Sequence, residues 1–412
     1  MNVSPKKVLM IAPTPFFSDR GTHIRILEEA LALARRGHHV SIATYHIGQD
    51  LPKSLAQFVE VRRILRLLFW YKKLEAGPDW QKIILDLMLI RKVFFLARTT
   101  RPDILHGHLH EGVLIGWVVQ KVLFWRGMKL VGDLHGSLTK EMVSHAYLRK
   151  SGLKKIFQWI ERLIDNLGDQ AITSSWANTE EISAIRKRSS PVTILDGVDA
   201  TSYASLAPRE AIRKRYDIPS GALVVTYTGA LIQNKGIRHF LSAIPLILAG
   251  HPEVYVVIAG FPWNEVQDFF QNKPWLSRVQ VITPLSYFLL PEILHMSDVG
   301  IDPKETGVGQ ASGKMLQYMG AGLPVVCFDT PNNREYLAEG GEYAHEVSGK
   351  GLADATLRLL RDGELRKRKG AANQKRAAEK FSWDTSASKL EEIYAEVAPE
   401  EDDARQKPGN GI

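Results

Sequence analysis

Residues 311–326, ASGKMLQYMGAGLPVV, hold the densest chemistry in this sequence: a Gly/Ser turn, a helix opening on Lys314, and a short apolar strand. Backbone N–H groups at Ser312, Gly313 and Lys314 stand unpaired at such a helix start and point at an anion, which Gly313 lets come close. Gln317 follows Lys314 by three positions, so both lie on one face of the first turn and can address one ligand. Residues 224–240, VVTYTGALIQNKGIRHF, read as a strand, a turn at Gly229 and a second cation, Lys235, ahead of a helix. An ammonium there compensates negative charge on a ligand. Residues 103–112, DILHGHLHEG, set His106, His108 and His110 at alternate positions, on one face if the chain stays extended. Three imidazoles on one face invite a metal, but no spaced carboxylate or thiol signature accompanies them, so no metal is expected. Residues 129–139, KLVGDLHGSLT, end a strand on Asp133 and His135 with Gly136 behind them.

These residues need a scaffold that brings loops together, and the sequence supplies one. Short β-branched runs alternate with helix-length segments, the mark of a parallel sheet covered on both faces. Candidate strands are 7–12, 39–44, 59–64, 103–108, 130–135 and 170–173, then a second series at 223–228, 254–259, 279–283, 298–302 and 324–328. Ligands sit at the carboxyl ends of strands in such sheets, where the residues above fall. The first strand ends in a Pro-rich loop leading to Gly21 and a helix with apolar spacing Ile24, Leu27, Leu31; a glycine there is either a plain helix start or a close approach to ligand. Asn332, Asn333 and Glu335 follow the last candidate strand and can line the same site.

A chain of 412 residues fits two domains of about 200 each. With 45% hydrophobic and 24% charged residues it has a globular balance. The single cysteine, Cys327, excludes an internal disulfide and suits a reducing compartment. The apolar run 8–12 is too short for a signal peptide, and no segment approaches the roughly 18 apolar residues of a span; a cytoplasmic location is the expectation. The net charge of +8 is concentrated in the first hundred residues, where Arg62, Arg63, Arg66, Lys72 and Lys73 interleave with Leu67, Leu68, Phe69, Trp70 and Tyr71. Such a surface either rests on the inner face of an anionic membrane or is a solvated rim around a core helix. No nucleic-acid-binding motif accompanies the charge.

Together with their surroundings, the turn–helix–strand at 311–326, the Gly229–Lys235 segment, the strand end at His135–Gly136 and VTILDGVDATSY at 192–203 resemble family 4 of the retaining glycosyltransferases. The resemblance implies a GT-B fold: α/β, two Rossmann-like doubly wound domains facing across a cleft, with a C-terminal helix crossing back to the first. The expected layout is an acceptor domain at 1–200, a linker at 201–220, a nucleotide-sugar domain at 221–380, a crossover helix at 381–398 and a disordered tail at 399–412. It implies catalytic roles for His135 and Lys235, and donor-binding roles for Gly21, Gly229, Lys235, Ser312, Gly313, Lys314, Gln317 and Glu335. His106, His108 and Asp133 would line the acceptor side. No cofactor is implied beyond a nucleotide-diphosphate sugar as substrate, and the partner is a glycan or lipid-linked acceptor at the membrane face. The chain departs from the family pattern at Ala230, where an arginine is usual, and at Gly309 and Gln317, where acids are usual. Those departures also fit a catalytically weakened scaffold that binds sugar nucleotides, and the architecture alone fits a nucleotide-sugar epimerase.

Overall fold

In the computed structural model, residues 4–74, 79–144, 151–204, 206–305 and 313–399 are described. The chain divides into two compact units, Met1–Leu195 with Trp383–Ile412, and Asp196–Ser382. The first is built on β1 (Lys7–Ala12), β2 (His39–Thr44), β3 (Glu60–Arg63), β4 (Ile104–His108), β5 (Lys129–Leu134), β6 (Gln170–Thr173) and β7 (Val192–Thr193). They form one parallel sheet in the order β3-β2-β1-β4-β5-β6-β7. Parallel strands buried on both faces read as continuous apolar runs, as KVLMIA of β1 does.

The second unit holds β8 (Leu223–Ala230), β9 (Val254–Phe261), β10 (Val279–Ile282), β11 (Val299–Asp302), β12 (Val325–Phe328) and β13 (Gly341–Ala344). Its sheet, also parallel, runs β10-β9-β8-β11-β12-β13. In each sheet the order reverses once, between β1 and β4 and between β8 and β11. Crevices outside strand ends at such reversals are where open α/β sheets bind ligands.

Helix Trp80–Thr100 shows how a crossover is held. Asp79 caps it by accepting from Gln81 N, and Leu85, Leu89, Val93 and Ala97, four apart, form one buried face. They join Leu9, Ile11, Leu105 and Leu130 in the core of the first unit. Truncating Leu89 to alanine there costs about 2–5 kcal/mol.

Two short strands, β7 and β13, have no counterpart among the expected ones. The stretch 201–220, expected as a linker, contains the 3-10 turn Ala200–Tyr203 and the helix Arg209–Arg215 and belongs to the second unit. Buried Arg213 donates to Met296 O and Asp298, which fixes the stretch in place. The last helix, Trp383–Val397, is part of the first unit, where Glu391 accepts from Arg36 at 2.6 Å and meets His38 at 2.9 Å. Of the expected tail, residues 400–412 lie outside the described residues.

Candidate functional site

At the reversal point of the first unit a buried polar cluster sits in an otherwise apolar sheet. Asp133, at the end of β5, is fully buried and accepts from Arg25 Nε at 2.9 Å and Nη2 at 3.2 Å. His135 Nε2 lies 3.0 Å, and His108 Nδ1 3.1 Å, from the same Oδ2. Arg25 also pairs with Glu29 at 2.8 Å, one helical turn on, and donates to Ile194 O. Burial raises the cost of charge on Asp133, but Arg25, His135 and His108 outweigh it and hold the carboxyl well below its usual range. Burial drives His106 well below the ordinary imidazole value and His108 down to about 4, so both rings are neutral.

His106 and His108 stack with centroids 4.4 Å apart, and Tyr394 of the last helix meets His106 Nδ1 at 2.6 Å. Both residues, like Asp133, are completely buried. They therefore cannot line an open acceptor face; they back His135, the half-buried member of the cluster. His110 does not share their face. The strand ends at His108, Leu109 turns the chain with φ 61°, and His110 enters helix Leu109–Val122, where its Nε2 lies 3.2 Å from Asp165. Single ligand atoms of Glu29, His106, His108 and Asp133 lie within 4.8 Å of one another, a spacing a cation can use. Arg25 already places a guanidinium on both carboxylates, supplying the positive charge such a cation would bring. Gly21 opens the neighbouring helix with nothing among the described residues within 4 Å of where a side chain would project.

The second unit concentrates cations at its own reversal point. β8 ends at Gly229, whose φ of +113° favours glycine, and a Cβ there would stand 3.7 Å from Lys314 Cε. Lys314 Nζ lies 4.2 Å over the Tyr227 ring and 3.4 Å from Asp302, at the end of β11. That nitrogen is buried and has no hydrogen-bond partner among the described residues. Burial opposes its charge, but Tyr227, Asp302 and Tyr318 together keep the ammonium's pKa above the usual lysine value. Lys304, two residues past Asp302, is shifted down by burial and further by Lys314. Lys235 closes the 3-10 turn Gln233–Lys235, and Gly236 behind it, at φ +75°, packs so tightly that a Cβ would fall 1.8 Å from Pro303 O. The turn bearing Lys235 is thus pinned to the segment after β11. Lys314 thus lies beside the turn that carries Ala230.

Tyr318, one helical turn beyond Lys314, accepts from Thr228 N at 2.8 Å and donates to Ile301 O at 3.3 Å, tying the ends of β8 and β11 together. Gln317 is buried, and the Tyr203 hydroxyl donates to its backbone oxygen at 3.2 Å. Gly313 opens helix Gly313–Gly320 with nothing among the described residues within 4 Å of where a side chain would project, while Ser312 and Gly309 lie outside the described residues. Glu335 is exposed in helix Pro331–Leu337; Thr330 caps that helix by accepting from the backbone N–H of buried Asn333, whose side-chain amide donates to Phe328 O. Glu305 pairs with His239 at 2.6 Å.

Two family models account for most of the sequence: one described as Glycosyltransferase Family 4 matches residues 20–202, and one described as Glycosyl transferases group 1 matches residues 208–376. The chain belongs to the family 4 glycosyltransferases. It is thus a group 1 enzyme that moves a sugar from a nucleotide sugar. The D-inositol 3-phosphate glycosyltransferase of Corynebacterium aurimucosum is 25% identical over 404 residues, covering 92% of this chain and 91% of the relative. Spore coat protein SA of Bacillus subtilis is 28% identical over 228 residues, 50% of this chain and 59% of that protein's length. Among solved structures, sucrose-phosphate synthase from Thermosynechococcus elongatus superposes with a TM-score of 0.72 at 16% identity, over 95% of this chain and 99% of that one. Anabaena HepE in complex with UDP-glucose gives 0.70 at 16% identity, over 95% and 100%. These likenesses establish the GT-B fold of the glycosyltransferase.

Arg25, Glu29, Tyr203, Tyr318 and Tyr394 escaped the sequence reading. Arg25 and Glu29 sit four apart in a helix where only the apolar positions carry a pattern. The tyrosines meet their partners across long stretches of chain, and nothing local announces them.

Proposed function

We propose that this glycosyltransferase moves its sugar from a nucleotide-diphosphate sugar to an acceptor hydroxyl with retention at the anomeric carbon and without a metal ion. The observation that carries this reading is Lys314: a buried ammonium lacking a hydrogen-bond partner among the described residues, beside the Gly229 turn and near Lys304. A diphosphate supplies the acceptor oxygens that such an ammonium lacks. In this mechanism Lys314 and Lys235 hold the diphosphate, and Lys235 takes up charge that grows as the bond from the sugar to phosphate breaks. The acceptor oxygen attacks the anomeric carbon on the face the diphosphate is leaving, and its proton passes to a diphosphate oxygen, so no separate base is required. The transition state is oxocarbenium-like, and stabilising the leaving group is the protein's main task.

His135, held by Asp133 with Arg25 behind it, is proposed to contact the transferred sugar. Gln317 keeps one acceptor oxygen for the ribose and adds two donors where an acid would accept twice. The solved neighbours that hold UDP and UDP-glucose favour a UDP-sugar as donor. The acceptor is proposed to be a glycan or lipid-linked intermediate of surface polysaccharide or glycolipid synthesis at the inner membrane face, because the basic and aromatic residues 62–73 leave Leu67, Phe69 and Trp70 exposed. The test is NMR of the product formed from an α-linked donor in the presence of a chelator. An α-linked product at undiminished rate supports the reading; a β-linked product, or loss of turnover on chelation, refutes it. Binding of donor without any turnover would instead favour the weakened scaffold.

A further inference from the structure

Among the described residues, every exposed large apolar side chain except Leu246, Leu276, Leu289 and Val347 belongs to the unit built on β1–β7. Helix Ser151–Asp165 presents the most ordered part of that surface. Ile156, Trp159, Ile160 and Leu163 recur at helical spacing and are 54%, 62%, 36% and 49% exposed. The same helix turns its carboxylates inward. Asp165 lies 3.2 Å from His110 Nε2, and Glu161 accepts from the Thr139 backbone N–H at 3.2 Å and from its hydroxyl.

A helix lying on a soluble domain is expected to bury its apolar stripe and expose its charge. Here Glu161 and Asp165 are spent on anchoring, and four large apolar groups face out. Because those are the helix's only acids, its exposed charges, Lys154, Lys155 and Arg162, are all positive. Lys155 and Arg162, seven apart, line one flank of the apolar stripe, and cations so placed repel a second copy of the same face and complement an anionic lipid surface.

We infer that helix Ser151–Asp165 is a lipid-facing element: Ile156, Trp159, Ile160 and Leu163 enter the boundary between headgroups and acyl chains of an anionic bilayer, while Lys155 and Arg162 meet its phosphates. The inference rests on the proposed membrane-face acceptor and adds to residues 62–73 a second anchor with its own geometry. Clamped by His110 and Thr139, the helix presents its stripe without refolding.

The full chain is sedimented with vesicles of phosphatidylcholine with and without phosphatidylglycerol, and a Trp159→Ser/Ile160→Ser variant is run alongside. Brominated lipids report whether Trp159 enters the acyl region, with the Trp159→Ser protein as the fluorescence blank. The expected result is binding to phosphatidylglycerol vesicles, quenching that depends on Trp159, and about tenfold or greater loss of binding in the double variant. Lys155→Glu/Arg162→Glu weakens binding at low salt only. No sedimentation of the wild type at millimolar lipid overturns the inference, as does a double variant that binds like the wild type. A wild-type dimer that the double variant abolishes overturns it too, making the stripe a self-interface. Thermal shift by nucleotide sugar, measured without lipid, reads the transferase proposal separately and stays unchanged in all variants.

Discussion

Replacing Lys314 by methionine removes a charge while keeping most of the volume. In the unliganded protein the lost interactions are one contact with Asp302 at 3.4 Å and a cation–π contact with Tyr227 at 4.2 Å. Against them stands relief from holding a buried ammonium without a hydrogen bond. Removing one partner of a buried pair costs about 3–5 kcal/mol when the other is stranded. Asp302 is not stranded, because Lys304 interacts with it favourably and its backbone N–H lies 3.4 Å away. The expected loss of stability is therefore smaller, about 1–3 kcal/mol. Charge-assisted hydrogen bonds to a bound diphosphate contribute about 1.5–3 kcal/mol. Their loss weakens donor binding by about ten- to a hundredfold. Calorimetric titration with UDP on the folded variant reads this, with urea unfolding in parallel. An unchanged dissociation constant for UDP in a folded Lys314→Met protein would refute the diphosphate role; Lys314→Arg restores charge but not shape and falls between the two.

Lys235→Ala should reduce turnover by several hundredfold with little loss of stability, the scale of deleting one electrostatic stabiliser of a leaving group; full activity refutes its role. Asp133→Asn removes the charge that Arg25, His108 and His135 share and should cost about 3–5 kcal/mol in urea unfolding; a loss below about 1 kcal/mol would show that the network is not held through this carboxylate. Burial lowers His23 and His108 from 6.5 to about 4, so the folded state refuses protons that the unfolded chain accepts. Their contribution is complete above pH 6.5 and is lost as pH falls through about 4, worth about 3 kcal/mol per residue. His108→Gln should flatten the fall in stability across that window, and an unchanged slope contradicts the assignment. Tyr318→Phe deletes a hydroxyl that serves Thr228 and Ile301; about 1–3 kcal/mol should be lost by urea unfolding, and no change would show that these bonds are dispensable.

What could be read from the sequence follows the range of the interactions involved. β1, β2 and β6 fall at the expected residues because buried parallel strands advertise themselves as β-branched runs. β7 spans only Val192–Thr193, too short to make a pattern. The lysines were visible as turn residues ahead of helices, but the placement of Lys314 beside Gly229 depends on β8 and β11 being neighbours. The alternating histidines misled because spacing by two is only a face while the chain stays extended, and Leu109 ends that condition before His110. Arg25 to Asp133 and His106 to Tyr394 are contacts made by topology. The outward stripe of helix Ser151–Asp165 was invisible for the opposite reason: an amphipathic pattern does not say which side faces the protein.

The proposed transfer requires a nucleotide sugar bound through the lysines of the second unit. The most direct measurement is a thermal-shift panel of UDP-, GDP-, ADP- and TDP-sugars on the full chain, with Lys235→Ala alongside. A rise with one nucleotide family, diminished in the variant, is the predicted result; no shift with any of them at millimolar ligand would contradict it.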